Sequence, residues 1–242
     1  MGFSVPELLG AAAIAAVAGV VRGITGFGGA MVMAPPLALL LGPALAVPVV
    51  LILESIAAAP MLVQTRREVR WPLVGPILAA ACVTAPLGSY VLIVAEPQLL
   101  RLTISAFVIL FSLVLLAGWR YAGRQRTGTS IAIGAVSGAM LGATSIGGPP
   151  VILYLLSGPD SVQSTRANLS LYIAATALVS LLALWAAGAL AAGAVTASLL
   201  LAPGYLAGLA GGVRAFPHFD ERRFRRFTLL LLITLSAGIL LV

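Results

Sequence analysis

The sequence of 242 residues contains no lysine, one cysteine and one histidine, and only 9% of its residues are charged. A single cysteine, Cys82, can form neither an internal disulfide nor a thiolate metal cluster. His218 lies in a charged loop, where we expect a solvated side chain rather than a catalytic or metal-binding one. No metal-ligand spacing, no histidine–acid or cysteine–histidine pair and no phosphate-binding loop is found. The sequence therefore predicts neither an enzyme nor a bound metal or other cofactor.

Most residues of the chain are apolar. Hydrophobic residues make up 61% of the chain, and the mean hydropathy is +1.12. A soluble core cannot bury that much apolar surface, and several runs of about 20 residues, the length that crosses a bilayer as a helix, carry no charge. We therefore predict an all-α polytopic membrane protein that has the lipid bilayer as its solvent.

The net charge of +7 comes from fourteen arginines and seven acids. Most of the arginines lie in three short loops, at residues 64–71, 119–128 and 214–226. Nucleic-acid binding would need one continuous basic patch, so we expect no nucleic acid as a partner. The positive-inside rule instead places all three loops in the cytoplasm of a multi-pass protein of the plasma membrane, here the bacterial inner membrane.

Two glycine-rich stretches, "RGITGFGGAMVMAPP" at 22–36 and "LGATSIGGPPVILYL" at 141–155, indicate an internal duplication. Residues 97–116 also resemble residues 221–241, with a few extra residues in the second half. We predict one transmembrane repeat at 1–119, a cytoplasmic linker at 120–128 and a second repeat at 129–242. A shift of 119 residues aligns Gly19, Gly23, Thr25, Gly28 and Gly29 with Gly138, Gly142, Thr144, Gly147 and Gly148.

Each repeat is predicted to be a broken-helix hairpin followed by three transmembrane helices. The broken segments, 5–41 and 129–157, must each enter and leave on the same side if the arginine-rich loops are to stay in the cytoplasm. The first segment then starts outside and the second starts inside. The two repeats would be inverted copies, and both termini would lie on the outer side.

The broken hairpins predict a site for an anion. Two helix N-termini near the membrane midplane present amide groups and positive dipole ends, and glycine leaves those amides uncovered. The predicted substrate-binding positions in these hairpins are Thr25, Gly26, Gly28, Gly29, Thr144, Ser145, Gly147 and Gly148. For the four outlying glycines, Gly19, Gly23, Gly138 and Gly142, we favour close helix packing through GxxxG spacing instead.

Charged residues within apolar spans are costly, so we give each a predicted role. Glu54 lies about ten residues from each end of its span and suits a proton-coupling group; the alternative is a structural ion pair with Arg22. Arg22 is predicted to pair with the substrate, or else to extend to the membrane interface. Arg166 and Asn168 at the start of another helix are assigned to the substrate site; the alternative for Arg166 is that it serves only as a cytoplasmic anchor.

The two motifs "GITGFGGAMVMAPPL" and "GATSIGGPPVILYLL" resemble those of the sulfite exporter TauE/SafE family, also called the 4-toluenesulfonate uptake permeases. The resemblance covers essentially the whole chain. It implies a multi-pass plasma-membrane protein that moves sulfite, sulfonates or other sulfur-containing organic anions. The commoner "GxGGG" form of the motif is altered here, because Ala30 and Pro149 follow the glycine pairs.

Inverted repeats with broken helices are typical of alternating access. We therefore predict a proton-coupled secondary transporter that exports sulfite or organosulfonates. An anion channel built on the same hairpins remains an alternative, as does a membrane scaffold or chaperone without transport. A homo-oligomer is compatible with all three.

Overall fold

The computed structural model describes residues 5–119, 121, 123–158, 160–215 and 221–240. Among these residues every regular element is helical, and no strand occurs. Arg66–Glu68 form a short 3₁₀ turn. The helices are α1 (Val5–Thr25), α2 (Gly29–Leu41), α3 (Pro43–Thr65), α4 (Trp71–Val94), α5 (Pro97–Leu116), α6 (Thr127–Thr144), α7 (Gly148–Leu155), α8 (Val162–Ala186), α9 (Ala192–Ala215) and α10 (Glu221–Leu240).

Six of the described helices, α1, α3, α4, α5, α8 and α9, are long and apolar enough to cross a membrane. Shorter apolar helices are α2 and the part of α10 from Arg226 to Leu240. A helix has no unpaired backbone groups along its length, so it is one of the two structures that lipid tolerates. The predicted all-α polytopic fold is confirmed. His218 and both chain ends lie outside the described residues.

Each predicted broken segment is a hairpin of two helices. In the first segment, Leu41 at the end of α2 lines the same small cavity as Leu8 and Ala11 near the start of α1. In the second segment, the hydroxyl of Tyr154 near the end of α7 lies 2.9 Å from the Ser130 hydroxyl near the start of α6. The returning helix therefore runs back towards the start of its partner in both segments.

The helix boundaries follow the predicted duplication. The ends of α1 and α6 lie 119 residues apart in the sequence. The same offset separates the starts of α2 and α7 and the starts of α3 and α8. The offset grows to 121 between the starts of α4 and α9 (192 − 71) and to 124 between those of α5 and α10 (221 − 97). The extra residues therefore enter late in the second half. That the two copies are inverted stays a prediction.

The chain forms two compact units, and neither is a continuous piece of sequence. Unit 1 comprises Met1–Leu53, Glu96–Ala117 and Ala191–Val242, and unit 2 comprises Glu54–Ala95 and Gly118–Leu190. In unit 1, α1 packs along α9, and α5 packs on α10 and α2. In unit 2, α4 packs along α6 and on α8, and α7 packs on α6 and α8. The repeat boundaries at 119 and 129 concern sequence similarity and stay a prediction.

Glycines let the main helix pair of each unit approach backbone to backbone. In unit 1, a Cβ added to Gly19 or Gly23 of α1 would overlap the α9 backbone. In unit 2, a Cβ on Gly138 or Gly142 of α6 would overlap the α4 backbone. Small residues at helix crossings are the usual basis of association in lipid, where the hydrophobic effect between helices is lost. The predicted packing role of these four glycines is confirmed.

Candidate anion site at two helix breaks

The first break, residues 26–28, separates α1 from α2 at the predicted position. Gly26 and Gly28 have φ angles of 78° and 90°, in the left-handed region that favours glycine. The Gly26 N–H still donates to the Arg22 carbonyl at 2.7 Å, so the chain turns directly out of the last helical turn. Gly29 then begins α2, and a proline pair, Pro35 and Pro36, lies inside that helix.

The second break, residues 145–147, separates α6 from α7. Ser145 has a φ of 61° and is the one non-glycine residue of the described chain in the left-handed region. Its side chain is buried, and its hydroxyl donates to the Thr144 carbonyl. Pro149 lies in the first turn of α7, where the missing N–H costs no hydrogen bond.

A threonine shapes both breaks in the same way. The Thr25 hydroxyl donates to the Val21 carbonyl at 2.8 Å and accepts from the Phe27 N–H at 3.3 Å. The Thr144 hydroxyl donates to the Met140 carbonyl at 2.7 Å and accepts from the Ile146 N–H at 3.2 Å. These hydroxyl hydrogens are used locally, so the geometry favours a turn-forming role. Donation from either threonine to a substrate stays a prediction.

The helix that follows each break offers amide donors. The first N–H groups of α2 have no acceptor within their own helix, and the positive end of the helix dipole lies there. In α7, Pro149 and Pro150 carry no N–H, so the donors at the helix start are the N–H groups of Gly147 and Gly148. Gly147 is buried and Gly148 half-buried at the start of α7. A Cβ added at Gly148 would meet no atom within 4 Å, so there is open space beside this helix start.

A mainly apolar cavity adjoins the first break within unit 1. Its space amounts to about 280 Å³, including the part open to the surroundings. The cavity is lined by Val21, Thr25, Phe27, Gly28 and Met31 of the first hairpin and by Thr228, Leu229 and Leu232 of α10.

Two of the predicted charged site residues are buried. Arg22, in the last turn of α1, is 3% exposed, and Glu54, at the centre of α3, is also 3% exposed. The predicted mid-span position of Glu54 therefore holds. Arg22 belongs to unit 1, whereas Glu54 is the first residue of unit 2. An ion pair between them stays a prediction, and so do their roles in binding and coupling.

Asn168 is fully buried in α8 and is held in a fixed orientation. Its Oδ1 accepts a hydrogen bond from the Arg70 N–H at 2.9 Å. The loop that carries Arg70 is tied to the start of α8 by two further contacts: Arg70 forms an ion pair with Asp160, and the Ser164 hydroxyl donates to the Glu68 carbonyl at 2.9 Å. Arg166 is half-buried one turn into the helix.

The predicted site residues thus fall into two groups. Arg22, Thr25, Gly26, Gly28 and Gly29 lie in unit 1, and Glu54, Thr144, Ser145, Gly147, Gly148, Arg166 and Asn168 lie in unit 2. Among the described residues, no group of three or more His, Cys, Asp or Glu side chains is placed to hold a metal ion.

Sequence reasoning overlooked one buried residue next to the second break. A Cβ added to Gly147 would lie 2.7 Å from the Tyr172 hydroxyl of α8. Tyr172 is fully buried. The available signal was a polar side chain every fourth residue along an apolar helix, at Asn168, Tyr172, Thr176 and Ser180, which places all four on one face.

Six helices of membrane length and two broken hairpins define a multi-pass helical membrane protein. The model of the family described as sulfite exporter TauE/SafE matches residues 11–239. The chain belongs to this family, as its motifs predict. It is therefore a membrane protein of a family that exports sulfite and related sulfur anions. No curated protein matches the chain, and no solved structure matches it.

Proposed function

We propose that this protein exports sulfite or small organosulfonates across the bacterial inner membrane by proton-coupled alternating access. The observation that carries the proposal is the second break, where the start of α7 adjoins open space and a buried tyrosine hydroxyl. A helix start with uncovered amides binds anionic oxygen atoms through hydrogen bonds and the helix dipole. Non-helical backbone at membrane depth is tolerated where it is buried in protein or lines a cavity.

Each helix break supplies proposed anion-binding residues within its own unit. The first break supplies Thr25, Gly26, Gly28 and Gly29, with Arg22 one turn away as the guanidinium that pairs with the substrate. The second break supplies amide donors from Gly147 and Gly148, and α8 adds Arg166 and Asn168. We assign Thr144 and Ser145 to the shape of the second turn and only through it to binding.

Proton coupling is assigned to Glu54. Ionisable residues within membrane spans are costly, and in transporters they commonly belong to proton relays or ion pathways. An exporter that binds a proton on one side and releases it on the other can use this cost to couple anion movement to the pH gradient. The buried, mid-helix position of Glu54 supports this role.

Proteoliposomes loaded with sulfite, methanesulfonate or isethionate test the proposal. Export from the wild-type vesicles should be saturable, should respond to an imposed pH gradient and should show no unitary currents. Unitary currents would indicate the alternative, an anion channel. The absence of flux and of any ligand-dependent thermal shift would indicate a scaffold without transport.

The Gly148→Val variant tests the location of the site in the same assay. The added side chain enters open space, so the protein should fold, yet it covers the first amides of α7. We expect flux to fall by about tenfold or more, the equivalent of losing one or two hydrogen bonds to a charged group. Gly128→Val, also at a helix start with open space around it, is the matched control and should leave flux unchanged. Equal flux in the two variants would move the site away from the second break.

A further inference from the structure

A stripe of buried polar side chains runs along one face of α8 in unit 2. Asn168, Tyr172 and Thr176 are spaced four residues apart, so they lie above one another on the helix. All three are 0% exposed. Polar groups buried in this way are normally hydrogen-bonded.

The donor groups of this stripe have no protein partner in the part of the chain that the structure describes. The unpaired atoms are Nδ2 of Asn168, the hydroxyl of Tyr172 and Oγ1 of Thr176. Hydroxyls in helices usually donate to the carbonyl four residues earlier, as Thr144 does at 2.7 Å and Ser198 at 2.7 Å. Thr176 does not use this option, which leaves its hydroxyl available to another group.

The stripe faces the second break. The Tyr172 hydroxyl lies beside Gly147 and close to the Ser137 hydroxyl of α6, near enough for the two to interact, although their geometry is not that of a hydrogen bond. Ser137 is 0% exposed, and within the described chain its Oγ makes no hydrogen bond either. Asn168, one turn earlier on α8, has its carbonyl oxygen held by the Arg70 N–H, so its amide group is kept in one orientation.

Helix packing by itself does not require these polar groups. In the first half of the chain, the counterpart of each donor residue lies 119 positions earlier. The donor residues are Ser137, Asn168, Tyr172 and Thr176. All four counterparts are buried and apolar: Ala18, Val49, Leu53 and Ala57. Equivalent helices thus pack with apolar residues in one half and with donors that lack a partner in the other, so the packing of these helices does not by itself account for the donors.

We propose that Tyr172, Ser137 and Asn168, with the first amides of α7, form a neutral site for the SO₃ group of the substrate, Tyr172 being the donor that determines specificity. The inference rests on the proposed function and deepens it. The ligand class is an oxyanion with three acceptor oxygens, held by uncharged hydrogen-bond donors. Thr176 lies one turn further along the same face and is the next donor on the path.

Neutral donors suit a transporter because they replace part of the hydration shell of the anion. Three acceptor oxygens on one sulfur can take several donors at once, whereas chloride offers no oxygen and a carboxylate only two. The site should therefore prefer sulfite and methanesulfonate over acetate and chloride. A site that binds firmly enough to select and weakly enough to release is the general requirement for transport.

Isothermal titration of purified protein with sulfite, methanesulfonate, acetate and chloride tests the inference in wild type and Tyr172→Phe. The variant keeps the ring and removes only the hydroxyl, so its melting temperature without ligand should be unchanged or raised. Its Kd for sulfite and methanesulfonate should rise by about tenfold or more. Tyr154→Phe is the matched control: the Tyr154 ring is also buried, but its hydroxyl pairs with Ser130 at 2.9 Å. That variant should melt at a lower temperature and bind normally.

The outcomes separate the two proposals. Wild-type binding of sulfite with an unchanged Kd in Tyr172→Phe overturns the neutral site and leaves the proposed function in place. A lower melting temperature of Tyr172→Phe, again with an unchanged Kd, assigns the hydroxyl to the fold and also overturns the site. Wild-type protein that binds none of the sulfur oxyanions overturns the proposed function, and the neutral site with it.

Discussion

At the scale of single residues, the proposed coupling depends on Glu54. Glu54 is buried at the centre of α3, where its sequence neighbours Val50, Leu51 and Leu53 are buried as well. Keeping a charged group in such surroundings costs a few kcal/mol at the centre of a membrane helix. A group with that cost is either needed for function or compensated by a partner, and the two cases predict different mutant behaviour.

Glu54→Gln separates them, because glutamine imitates the protonated acid. If Glu54 carries the proton, uptake or export driven by a pH gradient should be lost. Sulfite exchange without a gradient should persist, since exchange does not require deprotonation. The melting temperature should stay close to that of the wild type. Gradient-driven flux and thermal melting are measured on the same preparation, with Glu96→Gln in the exposed turn before α5 as the control.

A purely structural role of Glu54 predicts a different result. If Glu54 serves only as the partner of a buried cation, the substitution should lower stability by about 3–5 kcal/mol. Transport by the protein that remains folded would then keep its dependence on the pH gradient. That combination would remove Glu54 from the mechanism.

At the scale of helices, glycine has two separate uses in this chain. In α1, α6 and α9 it permits backbone contact between helices, and at the breaks it permits a left-handed turn. On α9 of unit 1, a Cβ on Gly212 would overlap the Val20 carbonyl oxygen of α1, whereas a Cβ on the adjacent Gly211 would meet nothing within 4 Å. Adjacent glycines on one helix thus offer a controlled comparison.

Gly212→Ala should lower the free energy of unfolding by about 1–3 kcal/mol, the usual cost of inserting a methyl group into a filled interface. Gly211→Ala should be neutral or should stabilise by up to about 1 kcal/mol, because alanine is the better helix former. Unfolding of the detergent-solubilised protein by increasing SDS, followed by circular dichroism, measures both. Equal stability of the two variants would contradict close packing of α1 on α9.

The positions of these features are local properties that the sequence can predict. Helix lengths, both breaks and the packing glycines come from runs of apolar residues and from the backbone preferences of glycine and proline. The shared turn made by Thr25 and Thr144 was harder to predict. A threonine hydroxyl can donate to a ligand or to its own helix, and only the coordinates show that it donates to its own helix.

At the scale of the whole molecule, the predicted orientation of the repeats can be tested by labelling. In a Cys82→Ala background, single cysteines at Arg67 and Arg124 should react only from the cytoplasmic side. Cysteines at Glu96, Gly2 and Val242 should react only from outside. A membrane-impermeant maleimide applied to intact cells and to inverted vesicles makes the comparison. Termini that react from opposite sides would contradict the inverted arrangement of the two hairpins.

The sequence by itself determined the membrane class, the family, the ten-helix pattern and the place of each break, because all of these depend on residues close together in the chain. The tertiary structure decided which helices pair: α1 packs with α9 in unit 1, and α4 packs with α6 in unit 2. Lipid is as apolar as the helices, so the pattern of apolar residues along a sequence does not tell which distant helix a given face will pack against. The same long-range packing decided that the Tyr172 hydroxyl lies beside Gly147, 25 residues earlier in the chain (172 − 147).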